Sequence, residues 1–227
     1  MPNITYTIVH SRRRTVSFIV NRNGELVVRA PHRVSNAEIE RMVQEKSAWI
    51  LRALEKTSKQ RRVKKEFIDG ELFWYLGEQL PLRVSTPYHR NKVETSAESL
   101  DLFVTLPKPS EARIKKLFED FYKKQAKLVL EQRAVELAKV MGLRFNRISI
   151  RSSTTRWGSC SSLGNINFSW RLVMAPPTII DYVVIHELSH LAHKNHSQKF
   201  WDLVGSYYPN HKNARKWLNT NGHKLVI

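Results

Sequence analysis

The chain has a single cysteine, Cys160, in 227 residues, so no internal disulfide can form. A disulfide-stapled scaffold and a sulfur-rich structural metal site are both excluded, and a reducing, cytoplasmic setting is expected. Glycine is also sparse, at eight residues, and none forms the glycine-rich loop that cradles nucleotide phosphates. Acidic residues are outnumbered: 20 Asp and Glu face 38 Lys and Arg, a formal net charge of +18. No cluster of carboxylates suited to magnesium stands out among them. Apolar runs are short as well. None reaches the length of a bilayer span, and residues 1–20 carry Arg12, Arg13 and Arg14 in place of an apolar signal-peptide core. A soluble protein without a membrane partner is expected, and no internal repeat or low-complexity segment appears.

What is present suffices for one sizeable core or two modest ones, since 41% of the residues are hydrophobic. The basic charge is uneven, and residues 1–65 alone carry fifteen Lys or Arg against five Glu. That excess makes nucleic acid or another polyanion a candidate partner of the N-terminal module. No helix-turn-helix, RNP or basic-zipper pattern accompanies it.

Residues 4–31 alternate in three segments, ITYTIVH, TVSFIV and ELVVRAP, which predict a three-stranded antiparallel meander. Ser35 and Glu38 form a capping box ahead of one amphipathic helix to about residue 56, with Trp49 and Ile50 as core anchors. After a basic connector, QRRVKK, two hairpins are expected on either side of a polar turn. These elements predict a β-rich N-terminal module with one helix over residues 1–108. A second module, residues 109–227, opens on a long helix capped by Ser110 and ended by Gly142, with Ile114, Leu117, Phe118, Phe121, Leu128, Val129, Val135, Leu137 and Val140 backing a sheet. Strand candidates follow at residues 148–153 and 165–172. The class is α+β.

The chemistry concentrates in residues 183–201, VVIHELSHLAHKNHSQKFW. His186, Glu187 and His190 read H-E-x-x-H, and on a helix i and i+4 share a side, so both imidazoles can reach one metal with Glu187 beside them as a base. The run TIIDYVVI before them, entered through Pro177, predicts a buried helix. A catalytic zinc ion takes three protein ligands as a rule, which leaves a choice between His193 and His196. His193 would have to reach back about 5 Å along a straight helix. His196 follows Asn195, a residue that often ends helices, and can swing back over the metal, so it is the expected third ligand of one Zn2+ per chain. Asp181 and Asp202 are candidates to orient a ligand imidazole.

Several stretches together resemble a known family: R-W-G-S-C-S at residues 156–161, N-x-N-x-S-W-R-L at residues 165–172, A-P-P at residues 175–177, and D-Y-V-V-x-H-E-L-x-H-L continuing to N-H-S-x-x-F-W at residues 181–201. The chain is similar to the YgjP-like zinc metallopeptidases, relatives of the SprT-like proteases and the minigluzincins. The resemblance implies a zincin-like module in which His186, His190 and His196 hold zinc and Glu187 is the general base, acting on a peptide or protein substrate. It also implies a short sheet beside the active-site helix whose edge strand pairs with the substrate, and Asn165, Ile166, Asn167 and Phe168 are the expected edge. Arg156, Tyr182 and Tyr207 are candidate oxyanion or substrate contacts by type. In the R-W-G-S-C turn, Cys160 is a candidate to reach the zinc, whereas Trp157 reads as a core plug and Gly158 as a tight turn. Two rivals are a metal-dependent nucleoside triphosphate pyrophosphatase and a nucleic-acid-associated module with structural zinc. The missing phosphate loop weighs against the first, and the histidine-rich donor set against the second.

Overall fold

A computed structural model describes residues 4–21, 24–59, 65–105 and 109–227. The chain divides into two compact units, Met1–Val63 and Lys64–Ile227. All but Lys65 of the basic connector lies outside the described residues.

In the first unit, β1 (Tyr6–Ser11), β2 (Ser17–Val20) and β3 (Leu26–Pro31) form a sheet in the order β1-β3-β2. The expected meander is therefore corrected, because β1 runs parallel to β3 and only β2 is antiparallel to it. The reason is burial: β3 alone sinks Leu26, Val28 and Ala30 fully and takes the centre, leaving the half-exposed β1 and β2 as edges. The capping box forms as expected at Ser35 and Glu38, but the helix breaks at Lys46 into α1 (Asn36–Glu45) and α2 (Ser47–Lys59). With that break Ile50 enters the core beside Ile39 and Val43. Trp49 is left 49% exposed and is not a core anchor.

The second unit starts with β4 (Leu72–Tyr75), β5 (Glu78–Ser85), β6 (Lys92–Thr95) and β7 (Leu100–Phe103) in the order β4-β5-β7-β6. Both hairpins are as expected, and β5 and β7 join them in parallel. This sheet does not belong to the N-terminal module. Phe73, Leu82, Leu100 and Leu102 share one core with Ile114, Phe118, Phe121 and Tyr122 of helix α3 (Glu111–Val140), and the Phe73 and Phe118 rings lie 4.8 Å apart. The Tyr122 hydroxyl donates to the Trp74 carbonyl at 2.8 Å. At the β4–β5 turn Leu76 and Gly77 donate main-chain N–H groups to Val173 and Met174, and a Cβ on Gly77 would come within 2.8 Å of the Pro176 backbone. A module boundary at residue 108 would cut through that core, so the boundary falls near residue 63 instead.

Helix α3 buries a stripe different from the expected one. Ala126, Leu130, Ala134 and Ala138 continue the line from Phe118 and Tyr122, while Leu128, Val135 and Val140 point outward. Alanine at three of these four positions lets the next helix approach closely, a role that hydrophobicity alone does not reveal. Strands β8 (Arg147–Arg151), β9 (Gly158–Cys160) and β10 (Asn165–Ser169) form a third sheet in the order β8-β10-β9. Asn165, Ile166, Asn167 and Phe168 thus lie in its central strand, parallel to β8 and antiparallel to β9, and are not a free edge. The chain ends in α4 (Pro177–Ala192), α5 (Gln198–Tyr207) and α6 (His211–Asn221). Among the described residues no helix is long and apolar enough to cross a membrane.

Candidate metal centre

Helix α4 is an interior element. Ile179, Ile180, Tyr182, Val183, Val184, Ile185 and Leu188 are all buried, as the run TIIDYVVI predicts. Arg133 of α3 clamps it with a two-pronged ion pair to Asp181, Nε to Oδ1 at 2.8 Å and Nη2 to Oδ2 at 2.9 Å. Asp181 is therefore committed to helix packing and does not orient an imidazole. Asp202 accepts from Gln198 at 2.7 Å and makes no described contact with one either.

His186 and His190 stand one turn apart, their rings 5.1 Å between centroids. The helix ends at Ala192, and His193 turns extended at φ −129° and ψ 107°, two residues before the break expected at Asn195. This reversal carries His196 back, 5.0 Å from the His186 ring and 4.8 Å from the His190 ring. His193 takes part through its carbonyl, which accepts from His190 Nδ1 at 3.1 Å. That bond fixes the proton on Nδ1 and leaves Nε2 of His190 as a free donor for a metal. The Nε2 atoms of His186 and His196 approach to 3.1 Å, and one ligand nitrogen from each of the three rings lies within 4.8 Å of the others. Phe200, fully buried on α5, touches all three rings at 4.6–5.0 Å and forms an apolar floor.

Electrostatics suit this cluster to a cation. Burial, reinforced by His190, His196 and Arg215, pushes the His186 imidazole down to about 3, and burial also lowers His190. Rings that resist protonation are available as neutral ligands at neutral pH. Three converging imidazole nitrogens match the donor set of a catalytic metal site, so the residues fit a metal ion.

Glu187 is 6% exposed, and burial pushes its carboxyl up to about 8. It lies against β9, where a Cβ on Gly158 would fall 2.6 Å from Glu187 Cγ and Oε1. Gly158 therefore serves as a space for the carboxylate and is not a tight turn. Trp157 packs on the core as expected, against Gly222. Cys160 is not part of the converging group, and its thiol is directed to the Ser161 carbonyl at 3.5 Å.

The family described as YgjP-like, metallopeptidase domain, matches residues 14–221. The chain belongs to that family. It is a metallopeptidase, with the α+β architecture expected of it. Two solved structures are similar to this YgjP-like chain: the metallopeptidase zymogen abylysin of Pyrococcus abyssi, and the metallopeptidase zymogen jannalysin of Methanocaldococcus jannaschii. Abylysin is 21% identical, covering 43% of this chain and 99% of that one, with a TM-score of 0.39. Jannalysin is 18% identical, covering 38% and 90%, with a TM-score of 0.35. Among curated proteins the sequence matches none.

Of the three contacts expected by residue type, only Tyr182 stands beside the cluster, its ring 6.0 Å from His186. No described hydrogen bond or ring contact joins Arg156 or Tyr207 to the imidazoles, and both are exposed. Sequence reasoning missed Arg215, whose charge acts on both His186 and Tyr182. No spacing rule links a residue of α6 to the H-E-x-x-H motif, and only the folded chain brings it there. Trp201 of α5 packs on the core and also stacks its ring on His196 at 5.6 Å and 27°.

The ligand set is tested by metal analysis of purified variants. His186→Ala, His190→Ala and His196→Ala should each lose a metal present near one per chain, whereas His193→Ala should keep it, because only its carbonyl is used. Full occupancy in His196→Ala would remove that residue from the set.

Proposed function

We propose that the metal of this YgjP-like metallopeptidase is zinc, held by His186, His190 and His196, and that Glu187 is the general base for peptide-bond hydrolysis. The observation that carries this reading is the convergence of three imidazoles, two of them on the same helix as a buried carboxylate beside them. Zinc in such a donor set supplies Lewis acidity, lowering the pKa of water from about 15.7 towards 7. Glu187, whose proton affinity burial raises, takes the proton from the attacking water as a carboxylate and returns it to the departing amine nitrogen. Phe200 keeps bulk water away from beneath the rings. Strand β9 ends the sheet on the side of α4, so its outer main-chain groups replace those of residues 165–168 as the edge offered to an extended substrate. Tyr182, buried and with its hydroxyl pKa raised, remains the candidate donor to the developing oxyanion.

The N-terminal unit supplies a separate proposal, binding of nucleic acid. Arg12, Arg13, Arg14, Arg33 and His32 surround a cavity of about 330 Å³, and Arg13 Nε is buried there without a partner. The lone free thiol of Cys160 is in keeping with a cytoplasmic enzyme.

Glu187→Gln should retain zinc and fold yet lose roughly 10²- to 10⁴-fold in kcat, since an amide cannot accept the proton. Assaying that variant on casein-like peptides and on nucleoside triphosphates separates peptidase from pyrophosphatase. Peptide turnover at the wild-type rate would dismiss Glu187 as the base. For the basic unit, a salt titration on a labelled oligonucleotide should show steeply salt-dependent binding that weakens when Arg12, Arg13 and Arg14 become Ala. Identical curves for the two proteins would return the charge to a solvated surface.

A further inference from the structure

Next to the imidazole cluster, α5 and α6 enclose a cavity of about 630 Å³, within the usual range of ligand pockets of about 300–1,000 Å³. Trp201 belongs to both places. Its indole stacks on His196 at 5.6 Å and 27°, and also on His211 at 5.5 Å and 23°, while His211 lines the cavity. The guanidinium carbon of Arg215 lies 5.8 Å from the Trp201 ring. The cavity thus borders the imidazole cluster, with the Trp201 ring as the shared wall.

Its lining is positively charged. Lys212 and Arg215 face it, and neither forms an ion pair among the described residues. The one acid in the lining, Asp202, is engaged by Gln198 at 2.7 Å. His211 adds a buried Nδ1 without a partner. Two cations without an acidic partner among the described residues, set beside an aromatic wall, suit an anion. The fork of an arginine matches a carboxylate in two-pronged fashion, and a lysine adds an adaptable point charge.

We propose that this cavity is a subsite for a carboxylate of the peptide substrate, bound by Lys212 and Arg215, so that the enzyme prefers an acidic residue near the cleaved bond. The subsite names the substrate class for the peptidase reading and rests on it for turnover but not for binding. Arg215 and Lys212 are specificity residues here and take no part in the proton transfers of Glu187.

The test uses three peptides of one sequence: one with Glu flanking the cleavage point and an amidated C-terminus, its Gln counterpart, and the Gln peptide with a free C-terminal carboxylate. Two quantities are read on zinc-loaded full-length protein, kcat/KM for the wild type and Kd for the Glu187→Gln variant by Trp fluorescence. The Glu peptide should be favoured over its amidated Gln counterpart by roughly tenfold in both, a difference of about 1.4 kcal/mol. Lys212→Gln and Arg215→Gln should each shrink that ratio, and Lys212→Glu should invert it. If the free-terminus peptide is favoured instead and the same variants remove its advantage, the subsite holds and its carboxylate is that of the chain end. Equal values for all three peptides, or a preference untouched by the variants, would overturn it. Should no peptide be cleaved while the Kd ratio persists and responds to Lys212→Glu, the peptidase reading fails and the anion subsite survives.

Discussion

Helix α4 runs through apolar surroundings and yet carries two imidazoles and a carboxylate, and the rest of the catalytic unit accommodates that conflict. Its buried side chains, Ile179 to Leu188, anchor it against α3 and β9, and the Arg133–Asp181 pair fixes its position along α3. Because the helix cannot shift cheaply within a close-packed interior, His186, Glu187 and His190 keep a fixed mutual geometry. The β4–β7 sheet packs Phe73, Leu82 and Leu102 on the N-terminal part of the same buried stripe of α3, so it shares one core with α4.

The same burial sets the chemistry. It disfavours the charged form of every titratable group it encloses, which moves the imidazoles and the carboxylate in opposite directions. Neutral imidazoles are what a metal needs, and a carboxylate with raised proton affinity is what a base working near neutral pH needs. One environment therefore suits both the metal and the base proposed for this site. Gly158 is the complement to this arrangement, since any side chain there would occupy the space of Glu187.

How far this could be read from the sequence follows from the range of each interaction. The H-E-x-x-H spacing, the buried helix and the capped α3 depend on residues within a few turns, and all were legible. The return of His196 to the other two rings was legible as well, because a helix break leaves a local signature, although the break itself comes at His193. Strand order was not legible. Strand β9 is three residues long and carries no periodicity, so nothing local marks it as the edge or β10 as the centre. The alanine stripe of α3 was hidden for a different reason, since small residues score weakly as core although they set the approach of α4. Arg215 and the cavity of α5 and α6 exist only once two helices meet.

The central claim, that three imidazole nitrogens hold the metal, is tested most directly by X-ray absorption at the zinc edge of the purified full-length protein. The account predicts three nitrogen neighbours at about 2.0–2.1 Å with imidazole scattering and one further oxygen. A sulfur neighbour at about 2.3 Å, which would have to come from Cys160, or a shell containing fewer than three imidazoles, would contradict it.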